Sequence, residues 1–170
     1  MKREILKYPD PTLKKVSQPV KEITGEIREL IDDMFETMYE NGGVGLAAPQ
    51  IGVLKRVIVL DVSPILEGQE PLALVNPEIV SEEGEQESEE GCLCIPEFTA
   101  SVKRAMKVVV RGIDRDMGEV EIEAESFLAK ALQHEVDHLN GILIVDRLSP
   151  VKRDVFRRKY LKKMKSGAAV

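Results

Sequence analysis

The sequence predicts a single α+β domain in which a central, histidine-bearing helix packs against antiparallel strands, with a further helix towards each end. Apolar residues recur at helical spacing in an N-terminal segment and in a segment near residue 130. Short runs of Val, Ile and Leu, bounded by Pro, Gly or Asp, lie between them and are typical of strands. With 170 residues, 43% of them hydrophobic, one compact core is possible. We therefore expect residues 1–170 to form one domain.

The N-terminal part predicts an arm and then a helix. Residues 1–20 contain three prolines and should be extended and rich in turns. Thr24 is a suitable N-cap for a helix that continues to about Tyr39. Its apolar residues at helical spacing are Ile27, Leu30, Ile31, Met34 and Met38. Glycines in residues 42–45 should end this helix and begin a loop.

The later elements follow from the same patterns. Strands are predicted at residues 56–62, 72–80, 104–113 and 120–124. A second helix should begin near Ser126 and stop at Gly141, a suitable C′ residue. Ser149 and Pro150 have N-cap and N1 character for a basic third helix, about 149–165. Its apolar residues form no clean stripe, so we expect it to pack only partly.

The only two histidines, His134 and His138, lie four residues apart on the second predicted helix. One helical turn separates them, so both imidazoles should project from one face and bind one metal ion. Glu135 lies close enough to handle the protons of a metal-bound water. This His-Glu-x-x-His pattern is the signature of metal-assisted hydrolysis. Phe127 and Ala131 share the histidine face.

A metal held by two histidines needs a third protein ligand. The downstream acids Asp146 and Asp154 have no motif around them, so Cys92 and Cys94 are the strongest remaining candidates. In an extended segment their side chains would lie about 6.5 Å apart on one side, so only one could reach the metal. The alternative is that both are ordinary buried thiols.

A glycine-rich segment, residues 42–52, is the third unusual feature. Small residues allow a backbone to pass close to a bound chain, and the Gln50 amide could stabilise an oxyanion. The alternative is a plain turn.

Three segments together resemble the peptide deformylase family. They are Gly-Val-Gly-Leu-Ala-Ala-Pro-Gln at 43–50, Glu-Gly-Cys-Leu-Cys at 90–94 and Gln-His-Glu-Val-Asp-His-Leu at 133–139. The resemblance extends to Tyr-Pro-Asp-Pro at 8–11 and to the helical C-terminus typical of one bacterial subclass. Cys94 departs from it, since the family usually has Ser there.

The resemblance implies that Cys92, His134 and His138 bind a divalent metal, with water as the fourth ligand. Family members use Fe(II) physiologically and also work with Ni, Co or, usually less well, Zn. The implied reaction removes the formyl group from the N-formylmethionine of new polypeptides. Glu135 would transfer the proton, and Gln50 with the Leu93 backbone N–H would stabilise the oxyanion. Gly45 would allow close backbone approach. Val44, Phe127 and Ala131 would form a pocket for the methionine side chain, and Gly43 would also bind substrate. An ion pair between Glu90 and Arg104 would fix the cysteine loop.

Two other functions remain open from the residues alone. One is a His-Glu-x-x-His endopeptidase, which the missing downstream ligand disfavours. The other is a non-catalytic, ribosome-associated metal-binding module, which the intact Glu135 and Gln50 disfavour. For Glu90 and Arg104 the alternative is two solvated surface charges.

Charge distribution suggests a partner. The formal net charge is −6, yet residues 146–170 contain nine basic and two acidic residues, and residues 61–90 contain no Lys or Arg. A solvated acidic loop and a solvated basic helix would explain this, or the basic helix docks on an anionic partner such as the ribosome. We expect no sequence-specific nucleic-acid binding and no membrane span, and therefore a cytoplasmic protein.

Overall fold

The computed structural model describes residues 1–165, and residues 166–170 of the predicted domain lie outside it. Within the described range three α-helices and seven β-strands follow one another along the chain. The helices are α1 (Gly25–Glu40), α2 (Ser126–Leu139) and α3 (Pro150–Lys165). The strands are β1 (Gly45–Ala47), β2 (Val57–Leu60), β3 (Leu72–Glu83), β4 (Gln86–Cys92), β5 (Ile95–Arg104), β6 (Lys107–Ile113) and β7 (Glu119–Glu125).

The strands form one five-stranded sheet and a separate hairpin. The sheet order is β1-β2-β3-β6-β7, and each neighbouring pair is antiparallel. Strands β4 and β5 pair only with each other, from Gln86 opposite Arg104 to Cys92 opposite Ile95. The predicted α+β class, with helices packed against antiparallel strands, is confirmed.

Helix α2 lies in the centre because it is apolar on adjoining faces. Leu132 and Leu139 are fully buried and pack in a cluster with strand residues such as Ile58 and Val110. Helix α1 contributes its predicted apolar residues to a second cluster, and all of them are buried. Burying aliphatic side chains stabilises the fold by about 1.5–3 kcal/mol each.

Two local predictions are wrong, and a third is confirmed only in part. The acidic stretch predicted as a solvated loop forms the end of β3 and most of β4, because strand pairing compensates for its poor strand composition. Arg104 ends β5 and does not begin the next strand, which starts at Lys107. Thr24 occupies the N-cap position of α1, but its side chain makes no capping hydrogen bond.

The C-terminal region follows the sequence closely. Gly141 adopts a positive φ of 72° just after α2, and the Ser149 hydroxyl accepts a hydrogen bond from the Lys152 amide at 3.3 Å. Helix α3 buries Phe156 and Tyr160 and leaves most of its other described side chains exposed, so it packs partly, as predicted. No helix within residues 1–165 combines the length and hydropathy of a membrane span.

Candidate metal centre and active site

Three candidate metal ligands converge between α2 and the β4–β5 hairpin. The Nε2 atoms of His134 and His138 lie 3.2 Å apart, and Cys92 Sγ lies 3.3 Å from His138 Nε2. All three donor atoms lie within 4.8 Å of one another. One cysteine at the end of β4 and two histidines on α2 form a donor set typical of a catalytic metal site with an open fourth position.

Cys94 does not join this cluster. Residues 93 and 94 form the turn of the hairpin, since Cys92 pairs with Ile95. The two sulfurs are therefore 3.0 Å apart, and the expected separation of about 6.5 Å for an extended segment is wrong. Both thiols are free, and Cys94 is fully buried in the core. The hydrogen bond with Cys94 and burial raise the pKa of Cys92 to about 11, so metal binding must displace its proton.

A buried carboxylate orients His134. Glu90 Oε1 lies 2.8 Å from His134 Nδ1, and Arg104 binds both Glu90 oxygens at 2.8 and 2.9 Å. Burial alone would raise the pKa of Glu90, but the hydrogen bonds from Arg104 and His134 outweigh it and lower the pKa to about 2. An ionised Glu90 keeps the proton on Nδ1 and leaves Nε2 free to bind a metal. The alternative of two solvated charges is wrong here, because both side chains are buried.

Two further charged residues, Asp137 and Arg147, belong to this network and were missed by the sequence interpretation. Arg104 Nη1 donates to Asp137 Oδ2 at 2.5 Å. Arg147 binds both oxygens of Asp137, at 2.6 and 2.7 Å. Asp137 lies between His134 and His138 in the sequence, and this position could have indicated a role near the metal site. For Arg147 the sequence offers no signal beyond its charge.

Glu135 lies beside the candidate metal ligands and lines the cleft described below. Its Oε2 is 2.5 Å from the point where a Cβ on Gly45 would lie, so glycine at 45 makes room for the carboxylate. Glu135 Oε1 is buried, and no residue in the described range 1–165 hydrogen-bonds to it. Burial raises the pKa of Glu135 to about 7, a value suited to proton transfer near neutral pH.

Gln50 is oriented by its own backbone neighbourhood. Its Oε1 accepts a hydrogen bond from the Ala47 N–H at 2.8 Å, which directs Nε2 towards the site. Nε2 donates to Cys92 Sγ at 3.4 Å. The side chain is 1% exposed, so its amide is held in place as a donor.

A cleft of about 650 Å³ opens over these groups. Its walls include every residue predicted to bind substrate: Gly43, and Val44, Phe127 and Ala131 of the methionine pocket. It is also lined by Gly45, Gln50, Cys92, Leu93, His134 and Glu135, whereas His138 and Arg104 are not among its lining residues. A Cβ on Gly43 would lie 2.7 Å from Leu93 Cδ1, so this glycine lets the hairpin turn pack against the loop.

The residues present fit a divalent metal ion. A cysteine sulfur and two imidazole nitrogens, which are soft or borderline donors, lie within 4.8 Å of one another, and the adjacent Glu135 carries a buried oxygen with no hydrogen-bond partner within residues 1–165. Such an orphaned buried oxygen is costly unless a water or ligand supplies a partner. Thiolate and imidazole suit Fe, Ni, Co and Zn, so the donor set does not select one ion.

Residues 2–154 match the family model described as polypeptide deformylase. The chain belongs to this family. A peptide deformylase of Thermodesulfovibrio yellowstonii is 56% identical over 157 residues, which cover 92% of this chain and 95% of the relative. A crystal structure of a Legionella pneumophila peptide deformylase superposes with a TM-score of 0.90 at 48% identity, covering 100% of this chain and 99% of the other. A Met-Ala-Ser-bound class I type b peptide deformylase of Acinetobacter baumannii superposes with a TM-score of 0.82 at 36% identity, covering 87% and 99% of the two chains.

The family resemblance read from the three sequence segments is thus confirmed, and with it the enzyme class. Peptide deformylases are metal-dependent hydrolases that remove the N-terminal formyl group from nascent polypeptides. The match over most of the chain favours this activity over the two alternatives, the endopeptidase and the non-catalytic module.

Proposed function

We propose that this chain performs deformylation with Cys92, His134 and His138 as metal ligands, Glu135 as the proton carrier, and Gln50 with the Leu93 amide as oxyanion donors. One observation carries the proposal. The donor atoms of Cys92, His134 and His138 lie within 4.8 Å of one another. Glu135, one of whose oxygens has no hydrogen-bond partner within residues 1–165, lines the same cleft as Cys92 and His134.

A bound divalent ion would supply a Lewis acid that polarises the formyl carbonyl and lowers the pKa of water. Fe(II) is our proposal for the ion in the cell, on the strength of the family resemblance, with Zn, Ni or Co possible in a purified sample. The sulfur and nitrogen donors are compatible with all four ions.

Glu135 moves the proton. Its carboxylate accepts a proton from the attacking water and returns it to the amine that leaves when the formyl C–N bond breaks. Burial raises the pKa of Glu135 to about 7. This value suits both proton transfers, because a group with a pKa near 7 accepts and donates a proton readily at neutral pH.

Gln50 and Leu93 stabilise the charge that develops on the formyl oxygen. The Ala47 N–H occupies Gln50 Oε1, so Nε2 is the atom presented to the oxyanion. Leu93 follows Cys92 directly in the hairpin turn, and the residue lines the same cleft. Donors of this kind are each typically worth about 3 kcal/mol in the transition state.

The methionine side chain of the substrate occupies the apolar part of the cleft. Val44, Phe127 and Ala131 line it, and the two α2 residues lie on the helix face that bears His134. This arrangement supports a position for the first substrate residue beside the proposed metal ligands.

The test combines metal analysis with two substrates. Protein prepared with Fe(II) or Ni should carry about one metal per chain and deformylate formyl-Met-Ala, while leaving an internal peptide bond intact. Glu135→Gln should retain the metal and lose roughly 10²- to 10⁴-fold in rate, because Gln can bind water but cannot carry its proton. A variant that keeps more than a tenth of the wild-type rate would refute the role of Glu135.

We also propose that α3 docks the enzyme on the ribosome in the cytoplasm. Phe156 and Tyr160 attach the helix to the body of the protein. The exposed basic side chains of its described part are Lys152, Arg157, Arg158, Lys159, Lys162 and Lys163. Such density on one partly packed helix favours an anionic, phosphate-rich partner.

A further inference from the structure

A continuous series of ion pairs connects the protein surface to a metal ligand. Arg147 binds Asp137 through two hydrogen bonds at 2.6 and 2.7 Å. Asp137 accepts from Arg104, and Arg104 binds both oxygens of Glu90. Glu90 then lies 2.8 Å from His134 Nδ1. Every link in the series is a direct contact between charged or polar groups.

Without Arg147, the buried part of this series, Glu90, Arg104 and Asp137, would carry more negative than positive charge. Glu90 and Asp137 are two carboxylates that share the single guanidinium of Arg104, and side-chain exposure is only 4%, 11% and 2% respectively. Buried charges destabilise a protein unless they are paired. Arg147, whose side chain is 39% exposed, supplies the second positive charge from the solvent side.

The geometry of Arg104 links the two ends. Its Nη1 binds Asp137, while Nε and Nη2 bind Glu90, so the planar guanidinium has its orientation fixed from both sides. Without its hydrogen bonds to Arg147, the Asp137 carboxylate would attract the Arg104 guanidinium more strongly. The hydrogen bonds that hold Glu90 against His134 would then weaken.

We propose that Arg147 is a positioning residue for the metal centre, acting through Asp137, Arg104 and Glu90 on the orientation of His134. This inference rests on the metal site proposed above. Groups that orient a metal-binding histidine typically contribute 10- to 100-fold to metal affinity. Arg147 acts at a greater distance, so we expect its contribution near the lower end, roughly tenfold.

The alternative is that Arg147 only stabilises the local structure and has no effect on the metal centre. Arg147 ends the short 3₁₀ helix Ile144–Arg147, and it could simply attach that helix to α2. The same helix has another attachment, the ion pair between Lys14 and Asp146, which does not touch Asp137. Lys14→Ala is therefore a matched control that weakens the attachment and leaves the ion-pair series intact.

The experiment uses full-length protein loaded with Co(II). The rate of cobalt release to a chelator and the visible absorption of the bound ion are measured for wild type, Arg147→Ala, Arg147→Lys and Lys14→Ala. We expect Arg147→Ala to release cobalt roughly ten times faster with an altered spectrum, Arg147→Lys to be intermediate, and Lys14→Ala to match wild type. In an Asp137→Asn background, Arg147→Ala should add little, because its route to His134 is already broken.

The outcomes are distinct. Wild-type release and spectrum in both Arg147 variants would overturn the proposal, even if their thermal stability fell. If Lys14→Ala accelerated cobalt release as much as Arg147→Ala, the proposal would also be overturned. Arg147 would then act only by attaching the 3₁₀ helix. If Arg147→Ala does not fold, Arg147→Lys decides, because it keeps the charge but loses the two-point contact. A wild-type protein that retains no cobalt would refute the metal site and this inference with it.

Discussion

Glu135 occupies the space that a side chain on Gly45 would fill. Its Oε2 lies 2.5 Å from the position of a Cβ at residue 45, closer than real Cβ contacts allow. Leu60 Cδ2 lies 2.9 Å from the same point on the other side. The glycine at the start of β1 therefore makes room for the glutamate of α2.

Replacement of Gly45 by Ala should displace the Glu135 carboxylate and lower kcat by roughly 10- to 100-fold, because small misplacements of a reacting group are costly. Metal content should be unchanged, since the ligands are elsewhere. Steady-state kinetics with formyl-Met-Ala and metal analysis would check both. Gly25→Ala is the control, because nothing lies within 4 Å of its added Cβ. A wild-type kcat in Gly45→Ala would show that Glu135 tolerates displacement.

The stability of the metal-free protein should fall as pH rises. Burial raises the pKa of Glu135 from 4.5 to about 7, so between these values the folded protein holds a proton that the unfolded chain has lost. Folding stability then decreases with pH by roughly 3 kcal/mol across this window. Urea unfolding at pH 4.5 and 7.5 measures the change. In Glu135→Gln this contribution should disappear, and an identical pH dependence in both proteins would contradict it.

The two cysteines should behave differently. Cys92→Ala should lose metal and activity together, because Cys92 Sγ belongs to the donor cluster. Cys94→Ser should keep both, since Cys94 lies outside that cluster. Metal analysis and deformylase assays on the two variants separate the roles. Fully loaded Cys92→Ala protein alongside metal-free Cys94→Ser would invert the assignment and remove the argument for the Leu93 amide.

Ribosome binding should depend on the exposed charges of α3. Truncation after Ser149 would also remove Phe156 and Tyr160 from the core, so charge reversal at Arg157, Arg158 and Lys162 is the cleaner change. These variants should lose co-sedimentation with ribosomes but keep activity on short peptides, and wild-type binding should weaken steeply with salt. Charge reversal at Glu119, Glu121 and Glu123 on β7 controls for general effects of altered charge. Unchanged co-sedimentation would leave only a solvated helix.

The sequence predicts the parts of the molecule that follow local rules. Helical spacing locates α1 and α2, and the four-residue interval places His134 and His138 on one face. The β4–β5 hairpin was not predicted, because Gln86–Cys92 is mostly polar and is stabilised as a strand by its partner. The turn that brings Cys94 to 3.0 Å from Cys92 follows from this pairing.

The charged network depends on tertiary placement. Glu90 and Arg104 were paired only through the family resemblance, since no local pattern relates residues on opposite strands of an unpredicted hairpin. Arg147 meets Asp137 because the chain reverses after Gly141, and a lone arginine carries no sequence signal of its partner. Local patterns therefore predict the ligands more readily than the residues that orient them.

The separate hairpin has a consequence for the newly made protein. Cys92 lies on it, 46 residues before His138. Phe98 of the hairpin packs against Phe156 of α3, with ring centroids 4.2 Å apart. During synthesis at about 5–20 residues per second, the thiol emerges seconds before the histidines that lie beside it in the folded protein. The unfinished chain is thus the form in which this cysteine is most open to oxidants, and prompt metal capture after α2 emerges would end that exposure.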